Sequence, residues 1–256
     1  MNPILYLLKY KANLYKTFYI NFKFFPWKVA LKLPIVIVGK VDLGKCEGKI
    51  VLKDRPRFAM LIVGSPNPPN TSISNTTFWI DGTLELSDHI RIKNGSSFSV
   101  SKGAVLSIGR EVLINVNVKV WCTNRIVIGS YCRISWDSQI IDSNFHYMVA
   151  ADGKTRRHKG NVIVGDSCWL ANRVTINKGT ILPNNTIVAG NSVVNKDFTQ
   201  FGEGITIGGI PAKFICQGIR RIMNLKKERE IDAYFKNHPE EETYEVGNAP
   251  SLFHWY

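Results

Sequence analysis

Proton transfer is the chemistry that this sequence suggests first, because one of its five histidines interrupts a regular pattern. Ile128, Ile134 and Ile140 follow one another at six-residue intervals, and His146 occupies the next position of that series. An imidazole titrates close to neutral pH, so a histidine that replaces an aliphatic residue is a candidate general base. Asp142, four residues earlier, fits an orienting partner for this ring, a contact to the substrate, or a capping or turn residue.

The chain leaves the pattern immediately after His146, over the segment 147–160. This excursion is basic and contains Lys154, Arg156, Arg157, His158 and Lys159. His158 is therefore an alternative candidate for the base, and a solvated basic loop is the alternative interpretation of the segment. The remaining histidines stand at a turn or near the C-terminus and are weaker candidates.

A six-residue period runs through the part of the chain that must position these groups. It is cleanest at Val164, Leu170, Ile176, Leu182, Val188 and Val194. This period fits neither an amphipathic helix nor an alternating strand. It fits a solenoid in which three short strands and their corners make one coil of about 18 residues. The sequence therefore predicts an all-β solenoid whose inward aliphatic residues stack into one core.

Changes in composition divide the chain into three parts. Residues 1–70 form a basic and aromatic arm with short strands, and they end in a proline-rich break over 65–70. Residues 71–215 contain the solenoid and its excursion. Residues 216–256 begin with a basic helix, predicted over 217–237, and finish in a tail that is acidic and then aromatic.

The formal net charge of +13 over 256 residues favours an anionic partner. Residues 1–30 concentrate lysine and aromatic side chains, so this arm either packs on the core or a neighbouring subunit, or lies on an anionic membrane. No nucleic-acid recognition motif accompanies the charge. The five cysteines form no C-x-x-C pair, and no apolar run matches a membrane span or a signal peptide. We expect a cytoplasmic protein with reduced thiols, with or without peripheral membrane contact.

Three stretches resemble the hexapeptide-repeat acyltransferases, in particular the branch that acetylates sugars and bacterial surface polysaccharides. They are the hexads of 164–194, the Gly-Gly-Ile-Pro-Ala-Lys ending at 208–213 and the Asp-Ser-Asn-Phe-His stretch at 142–146. The resemblance implies a left-handed parallel β-helix and a homotrimer with active sites between subunits. It also implies acetyl transfer from acetyl-CoA to a sugar hydroxyl, with His146 as general base and without a metal.

The same resemblance assigns the remaining site residues. Ala171 and Ala189 are eighteen residues apart, and in the family this corner of the coil holds the pantetheine arm of CoA, flanked by an aromatic position that is Trp169 here. Cations for the CoA phosphates are expected from Lys178, Lys196, Lys213 and Arg220. Acceptor contacts are expected from Asn144 and Arg156.

Two other functions fit the same residues. N-acetylation of an amino-sugar nucleotide would use the same fold and donor. A non-catalytic β-helix that only binds a ligand would need neither His146 nor the alanine corner, because a fold does not determine an activity. The expected partners are thus acetyl-CoA, further copies of the chain, and a glycan or sugar-nucleotide acceptor.

Overall fold

The structure is a computed structural model that describes residues 3–44, 46–66, 75–247 and Leu252. Most of the predicted break at 65–70 and the aromatic end at 253–256 lie outside the described residues. Three sheets, built almost entirely of parallel strands, form the faces of a prism. The prediction of an all-β solenoid is confirmed.

Each face collects one short strand from every coil. The first face consists, in spatial order, of Ile35–Ile37, Leu61–Ser65, Ile90–Lys93, Leu113–Ile114, Arg133–Ile134, Trp169–Leu170, Ile187–Val188, Ile205–Gly209 and the antiparallel Ala212–Gln217. The second face consists of Val41–Asp42, Thr76–Ile80, Ser97–Val100, Lys119–Cys122, Gln139–Ile141, Thr175–Ile176 and Val193–Val194. The third face consists of Lys49–Leu52, Thr83–Leu86, Val105–Ile108, Arg125–Ile128, Asn161–Val164 and Ile181–Leu182.

The register between coils explains the six-residue period. Trp169 pairs with Ile187, eighteen residues later, so three hexads make one coil there. Leu113 pairs with Arg133, twenty residues later, and this longer coil accounts for the slip in the earlier part of the pattern. The aliphatic residues of the period are buried and form one continuous core along the prism.

The corners between faces are held by residues in the left-handed backbone region. Tyr131, Ser167 and Asn185 have φ values of 63°, 58° and 59°, and they occupy the same corner in successive coils. This conformation costs a non-glycine residue on the order of 1 kcal/mol. It persists because each corner binds the one before it, as when the Ser167 amide donates to the Ser130 carbonyl at 2.7 Å.

Three helices cover the N-terminal end of the prism: α1 (Pro3–Lys9), α2 (Leu14–Phe24) and α3 (Trp27–Ala30). The side chain of Asn21 in α2 donates to the Ile35 carbonyl at 2.7 Å and accepts from the Ile35 amide at 3.1 Å. Thr17 accepts from the Ile37 amide at 3.1 Å. Side chains of helix α2 thereby form hydrogen bonds with the backbone groups at the free edge of the first strand, which would otherwise be unpaired.

The solenoid begins at Ile35, well before the boundary placed near residue 71 by the sequence analysis. Ile35 pairs in parallel with Leu61, and Ile50 pairs with Leu84, within the same sheets as the later coils. The latter pair is separated by 34 residues because the break after Ser65 lengthens this coil. The extra length hides the period from sequence inspection.

The C-terminal end differs from the predicted single helix over 217–237. The strand Ala212–Gln217 turns back on Ile205–Gly209 as a hairpin, after a single 3-10 turn at Thr199–Phe201. Helix α4 spans only Leu225–Asn237, because the Asn224 side chain caps it by accepting from the amides of Lys226 and Lys227. Within the described ranges, no helix is long and apolar enough to cross a membrane.

Candidate active site

The excursion that contains the candidate base is a small hairpin at the corner between the second and third faces. The second face ends at Ile141 and the third resumes at Asn161. Antiparallel bridges join Ser143 to Lys159 and Val149 to Thr155, so the two limbs of the hairpin support each other. A loop without such bridges would not hold a side chain in a fixed place.

Asp142 anchors the base of this hairpin to the preceding coil. Its carboxylate is fully buried and accepts from the Thr123 amide at 2.8 Å, the Thr123 hydroxyl at 2.8 Å and the Asn124 amide at 2.7 Å. None of these hydrogen bonds joins it to His146. Of the three interpretations, this geometry fits the capping or turn residue, because it buries the carboxylate and does not bring it to the imidazole.

Of the two histidines in the hairpin, His158 has the ring contacts that the structure shows. Its Nδ1 atom lies 3.0 Å from the Ser143 hydroxyl oxygen, which also accepts from the Phe145 amide at 2.9 Å. The Tyr147 ring meets the imidazole edge-on at a centroid distance of 4.6 Å. Since the contacts cross from one limb of the hairpin to the other, His158 stabilises the excursion.

His146 is exposed, and hydrogen bonds hold the backbone that leads into it. Its amide donates to the Asn144 carbonyl at 2.7 Å, and the Asn144 amide donates to the His158 carbonyl at 2.8 Å. The preceding residue, Phe145, has a φ of 61°, a strained value for an aromatic residue. The Phe145 ring packs edge-on against Trp121 at 5.4 Å, and this contact compensates the strain. Strained backbone of this kind clusters at functional sites.

An open cavity of about 660 Å³ lies beside the hairpin, on the side of the third face. Its walls carry amide, phenol, imidazole and cationic groups, which suit the hydroxyl-rich surface of a sugar. The lining residues are Asn124, Tyr147, Arg157, His158, Lys159, Gly160 and Asn161. Asn144 and Arg156, the predicted acceptor contacts, are exposed on the same hairpin but are not in this wall.

The predicted pantetheine corner lies between the first and second faces. The amide of Ala171 donates to the Val188 carbonyl at 3.0 Å, and that of Ala189 donates to the Ile207 carbonyl at 2.9 Å, so the two alanines stack in successive coils. Gly208 continues the stack, and a Cβ atom added there would lie 2.9 Å from the Ala189 Cβ. Trp169 stands beside this corner and donates from its indole nitrogen to Ser135 at 3.2 Å.

The predicted phosphate cations fall on two different edges of the prism. Lys178 and Lys196 follow strands of the second face and therefore lie on the corner that carries the hairpin. The Lys178 ammonium donates to the Arg157 carbonyl at 2.7 Å, which makes it a support of the hairpin. Lys213 is exposed on the terminal hairpin opposite Gly208, next to the alanine corner, and Arg220 is exposed a few residues later.

Sequence reasoning missed several residues that shape the site. Ser143 and Tyr147 hold His158, and Trp121 holds Phe145. The signal for Ser143 was its place inside the Asp-Ser-Asn-Phe-His stretch, whereas Trp121 is distant in sequence. Within the ranges that the structure describes, no cluster of His, Cys, Asp or Glu is arranged to hold a metal ion.

The chain is similar to O-acetyltransferases over its repeat region. It is 24% identical over 140 residues to galactoside O-acetyltransferase of Escherichia coli K12, a match that covers 54% of this chain and 63% of that protein. It is 25% identical over 144 residues to WbbJ of the same strain, named provisionally as a lipopolysaccharide biosynthesis O-acetyl transferase, covering 53% of this chain and 72% of that one. No protein-family model matches the chain.

Solved structures give the handedness of the coil. The polysialic acid O-acetyltransferase OatWY superposes with a TM-score of 0.50 at 20% identity, covering 78% of this chain and 98% of that one. At this level of identity the likeness concerns the fold, and the predicted left-handed β-helix is confirmed. The resemblance to the sugar O-acetyltransferase branch of hexapeptide-repeat proteins is likewise confirmed by the names of the relatives.

Proposed function

We propose that this protein transfers an acetyl group from acetyl-CoA to a hydroxyl of a bacterial surface glycan or its precursor. One observation carries the proposal: a braced hairpin leaves His146 exposed at the point where the coil would otherwise continue, and the same hairpin borders a polar cavity whose wall includes Tyr147 and His158 but not His146. The relatives named as O-acetyltransferases support the reaction type.

His146 acts as the general base in this proposal. Its imidazole removes the proton of the acceptor hydroxyl while the hydroxyl oxygen forms a bond to the thioester carbonyl carbon. The carbon–sulfur bond then breaks, and the CoA sulfur leaves and takes up the proton. His158, whose Nδ1 is already engaged with Ser143, positions the hairpin, and it is the alternative base.

The complete site is formed between two subunits of a homotrimer. Within one chain, the hairpin corner and the corner of Ala171, Ala189 and Gly208 lie at opposite edges of the second face. A hairpin on one subunit that faces the alanine corner of its neighbour would bring base and donor together. Lys213, beside the alanine corner, then supplies a cation for the nucleotide end of CoA.

The base assignment is tested by steady-state acetyl transfer to a soluble oligosaccharide from a bacterial surface polymer. We expect His146→Ala to lower kcat by at least about a hundredfold, because general-base catalysis contributes on the order of 10²–10⁴. His158→Ala is the matched control within the same hairpin and is expected to lose less. A larger loss for His158→Ala than for His146→Ala would indicate that His158, and not His146, is the general base.

The linkage of the product separates the two enzymatic alternatives. An amino-sugar nucleotide acceptor would yield an amide, whereas the proposed reaction yields an ester. Both acceptors are offered to the same preparation with acetyl-CoA. Faster acetylation of the amino sugar would overturn the O-acetyltransferase proposal in favour of N-acetylation.

A further inference from the structure

Helix α2 exposes aromatic side chains on the side that faces away from the prism. The side that meets the first coil carries Thr17 and Asn21, whose polar groups bind the backbone of the first strand. The opposite side carries Tyr15, Phe18 and Phe22, which are exposed by 78%, 45% and 47%. A solenoid normally needs a cap with a polar outer surface to stay soluble. Here Ile20 is buried in the core on the inner side, yet aromatic residues also cover the outer side, so the outer surface offers an apolar contact area.

The outward residues form an ordered patch. Tyr15 stacks on Tyr19 at a centroid distance of 6.5 Å, and Phe18 stacks on Phe22 at 6.3 Å, each pair one helical turn apart. Trp27 of α3 continues the surface with 63% exposure. Contiguous exposed apolar patches with a polar rim mark interaction sites. Tyrosine and tryptophan are also the residues that favour the boundary between lipid and water.

The positive charge of the N-terminal segment favours an anionic partner for this surface. Residues 1–40 contain seven lysines and no aspartate or glutamate. Lys23, Lys28 and Lys32 are exposed around the patch, and the Lys23 ammonium lies 5.5 Å from the Tyr19 ring centroid. A second copy docked on this surface would bring its own lysines against these, and like charges in a closed interface repel. A surface of anionic lipid headgroups instead matches the charge and accepts the aromatic rings.

We propose that the surface formed by α1–α3, the cap surface, docks the protein on an anionic membrane. On the second face, Gln139–Ile141 lies four strand positions beyond Val41–Asp42. At about 4.8 Å per strand this is about 19 Å along the prism. A prism standing on its cap therefore holds the hairpin well above the headgroups, at the height of a tethered glycan and not of a lipid headgroup.

Vesicle co-sedimentation of the full chain tests the docking. We expect binding to mixed phosphatidylglycerol–phosphatidylcholine vesicles, weakened by salt, and little binding to pure phosphatidylcholine. Replacing Lys23, Lys28 and Lys32 by Glu should weaken the binding by more than about a hundredfold, since each lost lysine near an anionic surface costs about a factor of five and each added carboxylate is repelled. The matched control replaces Lys102, Lys119 and Lys226, three exposed lysines outside the cap, by Glu and should bind like the original protein.

A second variant tests the apolar part of the surface. Phe18→Ser, Phe22→Ser and Trp27→Ser together should reduce vesicle binding at least tenfold without altering acetyl transfer to a soluble acceptor. Equal binding to both vesicle types, or binding that neither cap variant weakens, would overturn the proposal. The proposal would also be overturned if the protein does not bind vesicles and the Phe18, Phe22 and Trp27 variant changes its oligomeric state. In that case the cap surface would join copies of the chain.

Discussion

The Nδ1 atom of His158 lies 3.0 Å from the hydroxyl oxygen of Ser143, and this contact ties the two limbs of the excursion hairpin together. His146, on the same hairpin, has a fixed backbone and an exposed ring. The two histidines thus have different surroundings. His158 is held in place by its neighbours and lines the cavity, whereas the His146 side chain is exposed outside the cavity wall.

This difference predicts different losses of activity for the two histidine variants. In His158→Gln we expect kcat/KM to fall by about tenfold, because the hairpin loses a support while the proposed base is still present. In His146→Gln we expect kcat/KM to fall by at least about a hundredfold, because the base itself is removed. Steady-state acetyl transfer measures both values, and a larger loss in His158→Gln than in His146→Gln would contradict the assignment.

The buried carboxylate of Asp142 predicts a loss of stability when it is removed. Asp142→Ala leaves the amides of Thr123 and Asn124 and the Thr123 hydroxyl without their acceptor. Hydrogen bonds to a charged group contribute roughly 1.5–3 kcal/mol, so we expect the free energy of unfolding to fall by about 3 kcal/mol. Urea denaturation measures it.

Asp152→Ala is the matched control for this measurement. Asp152 also lies in the hairpin, but its side chain is 58% exposed and pairs with Lys154 across 3.8 Å. Its removal should change the free energy of unfolding by less than about 1 kcal/mol. Equal effects of the two substitutions would show that the Asp142 carboxylate does not anchor the hairpin.

The alanine corner predicts that bulk at Ala189 blocks the donor. Ala189→Trp places a large ring in the corner next to Gly208. The space there is narrow, because a Cβ atom added to Gly208 would lie 2.9 Å from the Ala189 Cβ. We expect calorimetric titration with CoA to show no binding, while light scattering shows an unchanged oligomer. Ala233→Trp, on the exposed side of α4, is the control and should bind CoA normally. Unaltered CoA affinity in Ala189→Trp would show that this corner does not bind the pantetheine arm.

The cysteines predict a selective thiol reaction. Burial, followed by the nearby negative charge of Asp142, raises the pKa of Cys122 to about 12. Burial likewise raises the pKa of Cys46 and of Cys132. A thiol whose pKa lies far above the solution pH stays protonated and is a poor nucleophile.

Cys216 is only half-buried, so it should react first with a disulfide reagent at pH near 8. The other four thiols should react only after unfolding, which brings the total to five. Rapid reaction of two or more thiols in the folded protein would contradict the burial seen in the core.

The sequence was most informative where the coil is shortest. From Val164 to Val194 every coil has eighteen residues, so the six-residue period and the buried positions coincide. The first coils are longer. Leu61, for example, pairs with Ile90, 29 residues later, so the sequence shows no six-residue period there. The first coils therefore became visible only in the structure.

The site shows the same limit. His146 could be proposed because it breaks a local pattern, and Ala171 and Ala189 could be proposed because they are one coil apart. The contact of Trp121 with Phe145 could not be found, since it joins side chains from different coils. The prediction of a helix that begins at residue 217 was wrong for a comparable reason. Ala212–Gln217 is one strand of a hairpin, and its partner strand, Ile205–Gly209, lies earlier in the chain.

The most direct test of the proposed reaction is the chemical linkage of its product. The protein is incubated with acetyl-CoA labelled with carbon-13 in the acetyl group and with a bacterial surface oligosaccharide, and the product is followed by NMR. The proposal predicts one labelled acetyl ester per CoA released, removed by mild alkali, and formed at least about a hundredfold more slowly by His146→Ala. An alkali-stable amide, or no labelled product with the original protein across surface oligosaccharides, would contradict it.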